Sequence, residues 1–181
     1  MKILRQFLLA TVLAVATLVG YLAYHLGAFK SVDIADGKRP AMKMIYKDHT
    51  GSYHKIVSVI QEVETWAKSQ NIDCTESFGE YIDDPNLIEE IRLRSRGGCI
   101  VKDVPANRPS DYKTQEVPER DYVIAVFAGS PGIGPVKVYP KVESYMRNHQ
   151  LVMDGSVIEV YVIHSKNEMT TTYLFPVIKG L

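Results

Sequence analysis

The stretch YVIAVFAGSPGIGPVKVYPKVESYMRNHQLVMDGSVIEVYVI, residues 122–163, decides the fold. Tyr122 to Phe127 is an apolar run rich in β-branched and aromatic residues, which predicts a buried strand. Gly129-Ser130-Pro131-Gly132-Ile133-Gly134 reads as a tight loop. Val138, Val142, Tyr145 and Met146 recur at helical spacing and predict an amphipathic helix from about Pro135 to Gln150. Asp154-Gly155 turns the chain, Val157–Ile163 is a strand, and Thr171–Ile178 is a last one.

The same order occurs upstream. Ala41–Tyr46 alternates as a strand, and His49-Thr50-Gly51-Ser52 is a turn that starts a helix. Tyr53, Ile56, Val57, Ile60, Val63 and Trp66 or Ala67 mark that helix, which ends near Gln70-Asn71. Ser77–Ile82 is a strand stopped by Asp83-Asp84-Pro85, and Glu90–Ser95 alternates strictly as the next. Gly97-Gly98 marks a bulge or bend before Cys99-Ile100-Val101. Val104–Arg120 is a connection with a short extended piece from Tyr112 to Val117.

Two strand-helix-strand-strand units therefore follow one another with little residue identity. The fold class expected is α+β: a pseudo-two-fold antiparallel sheet with two helices on one face. The face without helices is then free to form a groove between the halves, and ligand sites favour such junctions.

The domain is expected to span residues 41–181, after a linker at 30–40 and a membrane anchor at 1–29. Phe7 to Tyr24 carries no charge and no Pro, and the run to Phe29 is long enough to cross ~30 Å of hydrocarbon. A cleaved signal peptide would have a shorter apolar run, and Leu26-Gly27-Ala28 is a poor cleavage site. Lys2 and Arg5 favour an inside N-terminus, which places the domain outside the cytoplasm, although Lys30, Lys38, Arg39 and Lys43 pull the other way. Asp36-Gly37 marks a turn within the polar linker.

Lys plus Arg balance Asp plus Glu at 21 each, which argues against nucleic acid as a partner. Cys74 and Cys99 form no CxxC; they are either a pair, if exported, or two free half-buried thiols, and the second is expected. His49, His54, His149 and His164 lack metal-ligand spacing, and no serine sits in a GxSxG elbow. The glycines at 129, 132 and 134 miss the dinucleotide-loop spacing and read as a turn. Neither a metal nor a cofactor is expected.

Four stretches carry a resemblance. These are Tyr46–Trp66 with its Gly51-Ser52-Tyr53 helix start, Tyr81-Ile82-Asp83-Asp84-Pro85, the strand-loop-helix from Val126 to Tyr145, and Ile158-Glu159-Val160-Tyr161. Taken in order, they resemble the GyrI-like, or AraC effector-binding, family of small-molecule-binding domains over about residues 40–178. With its anchor the layout is also similar to that of an ER-phagy receptor. The receptor's long tail has no counterpart before Leu181, so receptor function is not carried over. The resemblance implies two strand-helix-strand-strand units around a cleft, with Glu159 inside it attracting cationic aromatic ligands and Tyr161 beside it.

The residues themselves also single out Glu159. It interrupts the apolar run Val157–Ile163, and a carboxylate there is costly to bury unless it is paired or used. Alternation puts Val157 and Tyr161 on its face, which reads as a cleft lining or as a polar outer face. Tyr81 and Glu80 lie on the equivalent strand of the first unit, and one of them faces the same cleft. Trp66, Tyr53 and Phe127 are expected in the core. The function expected is a membrane-tethered binding or sensing domain for a small molecule, such as a lipophilic cation bound through Glu159 and stacked on tyrosines. One alternative is a hydrolase of strained electrophiles with Glu159 as acid or base. The other is haem or tetrapyrrole binding, implied by the similar fold of the SOUL family. No helix-turn-helix segment is present.

Overall fold

A computed structural model describes residues 2–165 and 168–180. The expected outer limits, Met1 and Leu181, lie outside the described residues. Helix α1 (Lys2–Leu26) leads into strands β1 (Asp33–Arg39) and β2 (Met42–Thr50). Helix α2 (Ile56–Ser69), strands β3 (Cys74–Tyr81), β4 (Arg94–Val101), β5 (Lys113–Val117) and β6 (Arg120–Phe127), and helix α3 (Gly134–Asn148) follow. Strands β7 (Leu151–Met153), β8 (Val157–Ser165) and β9 (Glu168–Lys179) complete the order.

The fold is α+β with one antiparallel sheet, ordered β1-β6-β9-β8-β3-β4-β2-β5, and β7 pairs with β9. Each half places its three strands in the same internal order, β2-β4-β3 and β6-β9-β8, and the halves join where β3 pairs with β8. That arrangement is the expected pseudo-two-fold. The duplication extends further than the sequence indicated. β1 precedes β2 in the chain yet pairs with β6, and β5 precedes β6 yet pairs with β2. Each half thus lends an edge strand to the other.

The segment read as a linker is therefore β1, with Asp36-Gly37 inside it opposite Val123 and Tyr122. Its polar composition fits an edge strand that is half solvated. Glu90–Arg92 is a short 3₁₀ turn rather than strand, and β4 starts only at Arg94. The alternation that suggested a strand there arises from a loop with exposed Ile91 and buried Leu93. Gly97 and Gly98 make no bulge, since β4 pairs through them in register with β2 and β3. They serve close approach instead. A Cβ on Gly98 would lie 2.0 Å from the Ile45 carbonyl, and one on Gly97 would lie 2.9 Å from Ile60 of α2. The irregularity falls between Cys74 and Glu76. Cys74 and Cys99 form a disulfide, against the expectation of free thiols. Neighbouring strands hold them side by side, an adjacency that sequence spacing does not reveal.

Both α2 and α3 cover one face. The α2 face buries Val63 and Ala67 against Ile45, Cys99 and Val101. The α3 face buries Val138 and Val142 against Val123, Phe127, Tyr173 and Phe175. The opposite face was expected to hold a groove. It is packed solid with Met44, Phe78, Tyr122, Ile158, Val160 and Leu174. The sheet rolls around this face. Arg39 of β1 reaches Glu76 of β3 at 2.5 Å, although four inter-strand steps of ~4.8 Å separate those strands along the sheet. Val117 and Tyr122, from opposite wings, join the same cluster.

All of α1 up to Tyr24 lies clear of the domain except half-covered Ala23. At 25 residues it is long and apolar enough to cross a bilayer.

Candidate functional site

The seam over β3 and β8, between α2 and α3, gathers the chemistry. Side chains alternate faces along a strand, so Ser77, Gly79 and Tyr81 of β3 share the helix-bearing face with Val157, Glu159 and Tyr161 of β8. The next strand adds Thr171, Tyr173 and Phe175, with Glu159 opposite Tyr173 and Tyr161 opposite Thr171.

Glu159 is 4% exposed. Tyr161 Oη donates to its Oε2 at 3.1 Å, and Tyr139 of α3 donates to its Oε1 at 3.4 Å. Tyr81 Oη lies 2.8 Å from Tyr161 Oη. Because Tyr161 spends its proton on the carboxylate, Tyr81 is the donor in that pair. The two tyrosines meet head to head above Gly79, where an added Cβ would lie 3.2 Å from both hydroxyls. A Cβ at Gly79 would therefore crowd the bonded hydroxyl pair.

Burial raises the Glu159 carboxyl to about 7, and its two tyrosine hydrogen bonds only partly oppose the rise. Burial also pushes Tyr81, Tyr139 and Tyr161 upward, with the Glu159 charge adding to it, so their hydroxyls stay donors at neutral pH. Among the described residues no Lys or Arg pairs with Glu159. Among the described residues, three buried oxygens on this same face have no hydrogen-bond partner: Ser95 Oγ, Thr171 Oγ1 and Tyr173 Oη. Buried polar atoms are normally satisfied.

Of the residues singled out in the sequence, Glu159, Tyr161 and Tyr81 come together. Glu80 does not. Pleating turns it to the helix-free face, where it pairs with Arg96 at 3.1 Å and accepts from Ser156 Oγ. Tyr53 was expected in the core and lies at the upper rim. Its hydroxyl donates to the Asp83 carbonyl at 2.7 Å and its ring meets Tyr81 edge-on at 4.9 Å. Asp83 in turn takes a bidentate pair from Arg94, which ties down the loop after β3. Phe127 is fully buried, and Trp66 packs on Tyr112 at 4.6 Å. Sequence reading missed Tyr139, Gly79 and the orphan oxygens, and also Glu64 of α2, which accepts from Ser77 Oγ at the other rim. The one available signal was the count of 11 tyrosines. His49, His149 and His164 bond to Ser52, Tyr145 and Thr170 rather than to any seam residue.

Glu159 is sealed from solvent, while Tyr81, Tyr139 and Tyr161 around it are half-buried. Two surface hollows lie away from the seam, one beside Lys43, Asp103 and Gln115 and another beside Glu62, Trp66 and Tyr112.

Residues 38–178 match the GyrI-like family, described as a small molecule binding domain. No curated protein matches the chain. Among solved structures, the EcmrR C-terminal domain superposes with a TM-score of 0.68 at 16% identity, covering 82% of this chain and 98% of that one. EcmrR in a DNA complex gives 0.68 at 16% identity over 97% of this chain and 70% of that one. SAV2435 bound to tetraphenylphosphonium gives 0.53 at 13% identity over 81% and 94%. A hydrolase from Listeria innocua gives 0.53 at 13% identity over 86% and 98%.

Proposed function

Since the chain belongs to the GyrI-like family of small-molecule-binding domains, we propose that it is a membrane-tethered receptor for a lipophilic organic cation, bound in the seam over Glu159. One observation carries the proposal: a carboxylate 4% exposed, with no cationic partner among the described residues, lies among tyrosines and orphaned oxygens. A large cation entering the seam supplies the missing charge and lays its apolar bulk on Tyr81, Tyr139 and Tyr161 through cation–π contact. Thr171 Oγ1, with no partner among the described residues, can bond a polar group of the same ligand. The solved relative that holds tetraphenylphosphonium supports this ligand class.

Helix α1 supplies the tether by its length and apolarity. Lys2 and Arg5 ahead of it, and the Cys74–Cys99 disulfide behind it, both favour a domain on the oxidising side of the membrane. The ligand-binding unit begins with β1 rather than β2.

Calorimetric titration with tetraphenylphosphonium tests the proposal. Because only the ionised carboxylate attracts a cation, affinity should rise as pH passes upward through about 7 and level off beyond it. Glu159→Gln should lose at least about tenfold, the effect of ~1.4 kcal/mol. Equal binding by Glu159→Gln, or none by the native chain at pH 8, overturns it.

The Glu159 value near neutrality also favours a second reading, proton transfer to or from a strained electrophile held in the seam. Epoxide turnover that disappears in Glu159→Gln would establish it, and its absence across a panel of epoxides would remove it.

A further inference from the structure

The junction between α1 and the domain is built rather than loose. Ser130 N donates to the Leu26 carbonyl at 3.0 Å. Lys137 Nζ of α3 donates to the carbonyls of Gly27 at 3.4 Å, Ala28 at 2.5 Å and Lys30. A cation on the terminal carbonyls of a helix is a favourable cap. Gly27 has a φ of +82°, and a Cβ on it would lie 3.1 Å from the Gly129 Cα, so the two backbones touch with no side chain between them. Three residues after this collar, β1 begins its ladder with β6 at Asp33–Val126. A helix held this way has a fixed attitude to the sheet.

The register shows what lies at that end. Phe127, the last residue of β6, is opposite Thr171, which is opposite Tyr161. Past that line the β8–β9 hairpin runs on alone, pairing Val162 with Thr170 and Ile163 with Met169. Ile163 is 68% exposed although it follows Tyr161 on the seam face. Phe29 and Val136, flanking the Lys137 collar, are each 77% exposed. Exposed large apolar side chains thus gather around the root of an exposed apolar helix that is clamped in place.

We propose that this end of the domain, carrying Phe29, Val136, Val162 and Ile163, is a lipid-docking surface that rests on the bilayer α1 crosses. The occupant follows from continuity: α1 fixes this end against whatever surrounds it, and its own side chains require hydrocarbon. The Tyr161 end of the seam then faces the membrane interface, so the ligand class is cations already partitioned into lipid. The inference rests on α1 being a membrane anchor.

The test uses the full chain in phosphatidylcholine vesicles with brominated acyl chains as quencher. Trp66→Phe leaves a background free of tryptophan, and single reporters go in as Ile163→Trp, Val136→Trp, Leu87→Trp and Phe7→Trp. Leu87 is 81% exposed and lies in the loop after β3, at the far end of the β3–β8 pair. Side chains docked ~5–10 Å into the headgroup boundary should lose about half their emission at positions 163 and 136, as at position 7, while position 87 stays bright. Quenching at 7 with none at 163 and 136 overturns the docking surface alone. An unquenched reporter at 7 overturns the anchor, and the docking surface with it.

Discussion

Glu159 contributes a pH dependence to stability. Its carboxyl titrates at about 7 in the fold against an ordinary 4.5, so the folded state holds the extra proton between those values. Its contribution to stability therefore falls as pH rises from about 4.5 through about 7, where unfolding releases its proton, and is level above. Glu159→Gln removes the charge and keeps one acceptor oxygen, for either Tyr161 or Tyr139. It should raise stability at pH 8 by up to roughly 3 kcal/mol, at ~1.4 kcal/mol per pKa unit, and flatten that slope. Urea unfolding at pH 5 and pH 8 measures both; an unchanged slope would show that Glu159 is not the titrating group. Gly79 answers to space. Gly79→Ala puts a methyl 3.2 Å from two bonded hydroxyls and should cost about 1–3 kcal/mol, parting Tyr81 from Tyr161. A variant as stable as the native chain would mean the tyrosine pair yields freely.

At the scale of elements, close approaches outrank propensity. β4 carries Gly97-Gly98 in mid-strand, where glycine is intrinsically poor, because β2 and α2 leave no room for a Cβ. Gly98→Ala meets backbone at 2.0 Å and should cost well over ~3 kcal/mol, seen as a chain that expresses without a cooperative melt. The disulfide joins β3 to β4 across a sequence separation of 25. Replacing both cysteines by serine should lower stability by about 3 kcal/mol through loop-closure entropy, leaving the strand register intact. No change in melting temperature between oxidised and reduced protein would argue that the bridge is idle.

Across the whole molecule, the exchanged edge strands make the halves interdependent. A chain beginning at Ala41 leaves the β6 edge open, with its ladder to β1 from Val126 to Arg120 unfilled. Open edges pair with other chains. That truncation should aggregate or melt well below a chain beginning at Lys30, compared by size-exclusion chromatography and thermal unfolding. Equal behaviour of the two would show β1 to be dispensable.

The local patterns of the sequence determined the two helices, most of the strands they connect, and their duplication, since apolar periodicity fixes element type. They also marked Glu159, because one carboxylate in the run Val157–Ile163 is conspicuous from composition alone. Tertiary structure alone decided which face carries Glu159 and its tyrosines. Pairing β1 with β6 and β5 with β2 rolls the sheet around its helix-free side and fills that side with core. The seam is left between α2 and α3, where Tyr139 arrives from another element and Glu80 is turned away. Long-range pairing leaves no trace in a local pattern: a polar edge strand reads like a linker, and two cysteines made neighbours by strand pairing read like strangers.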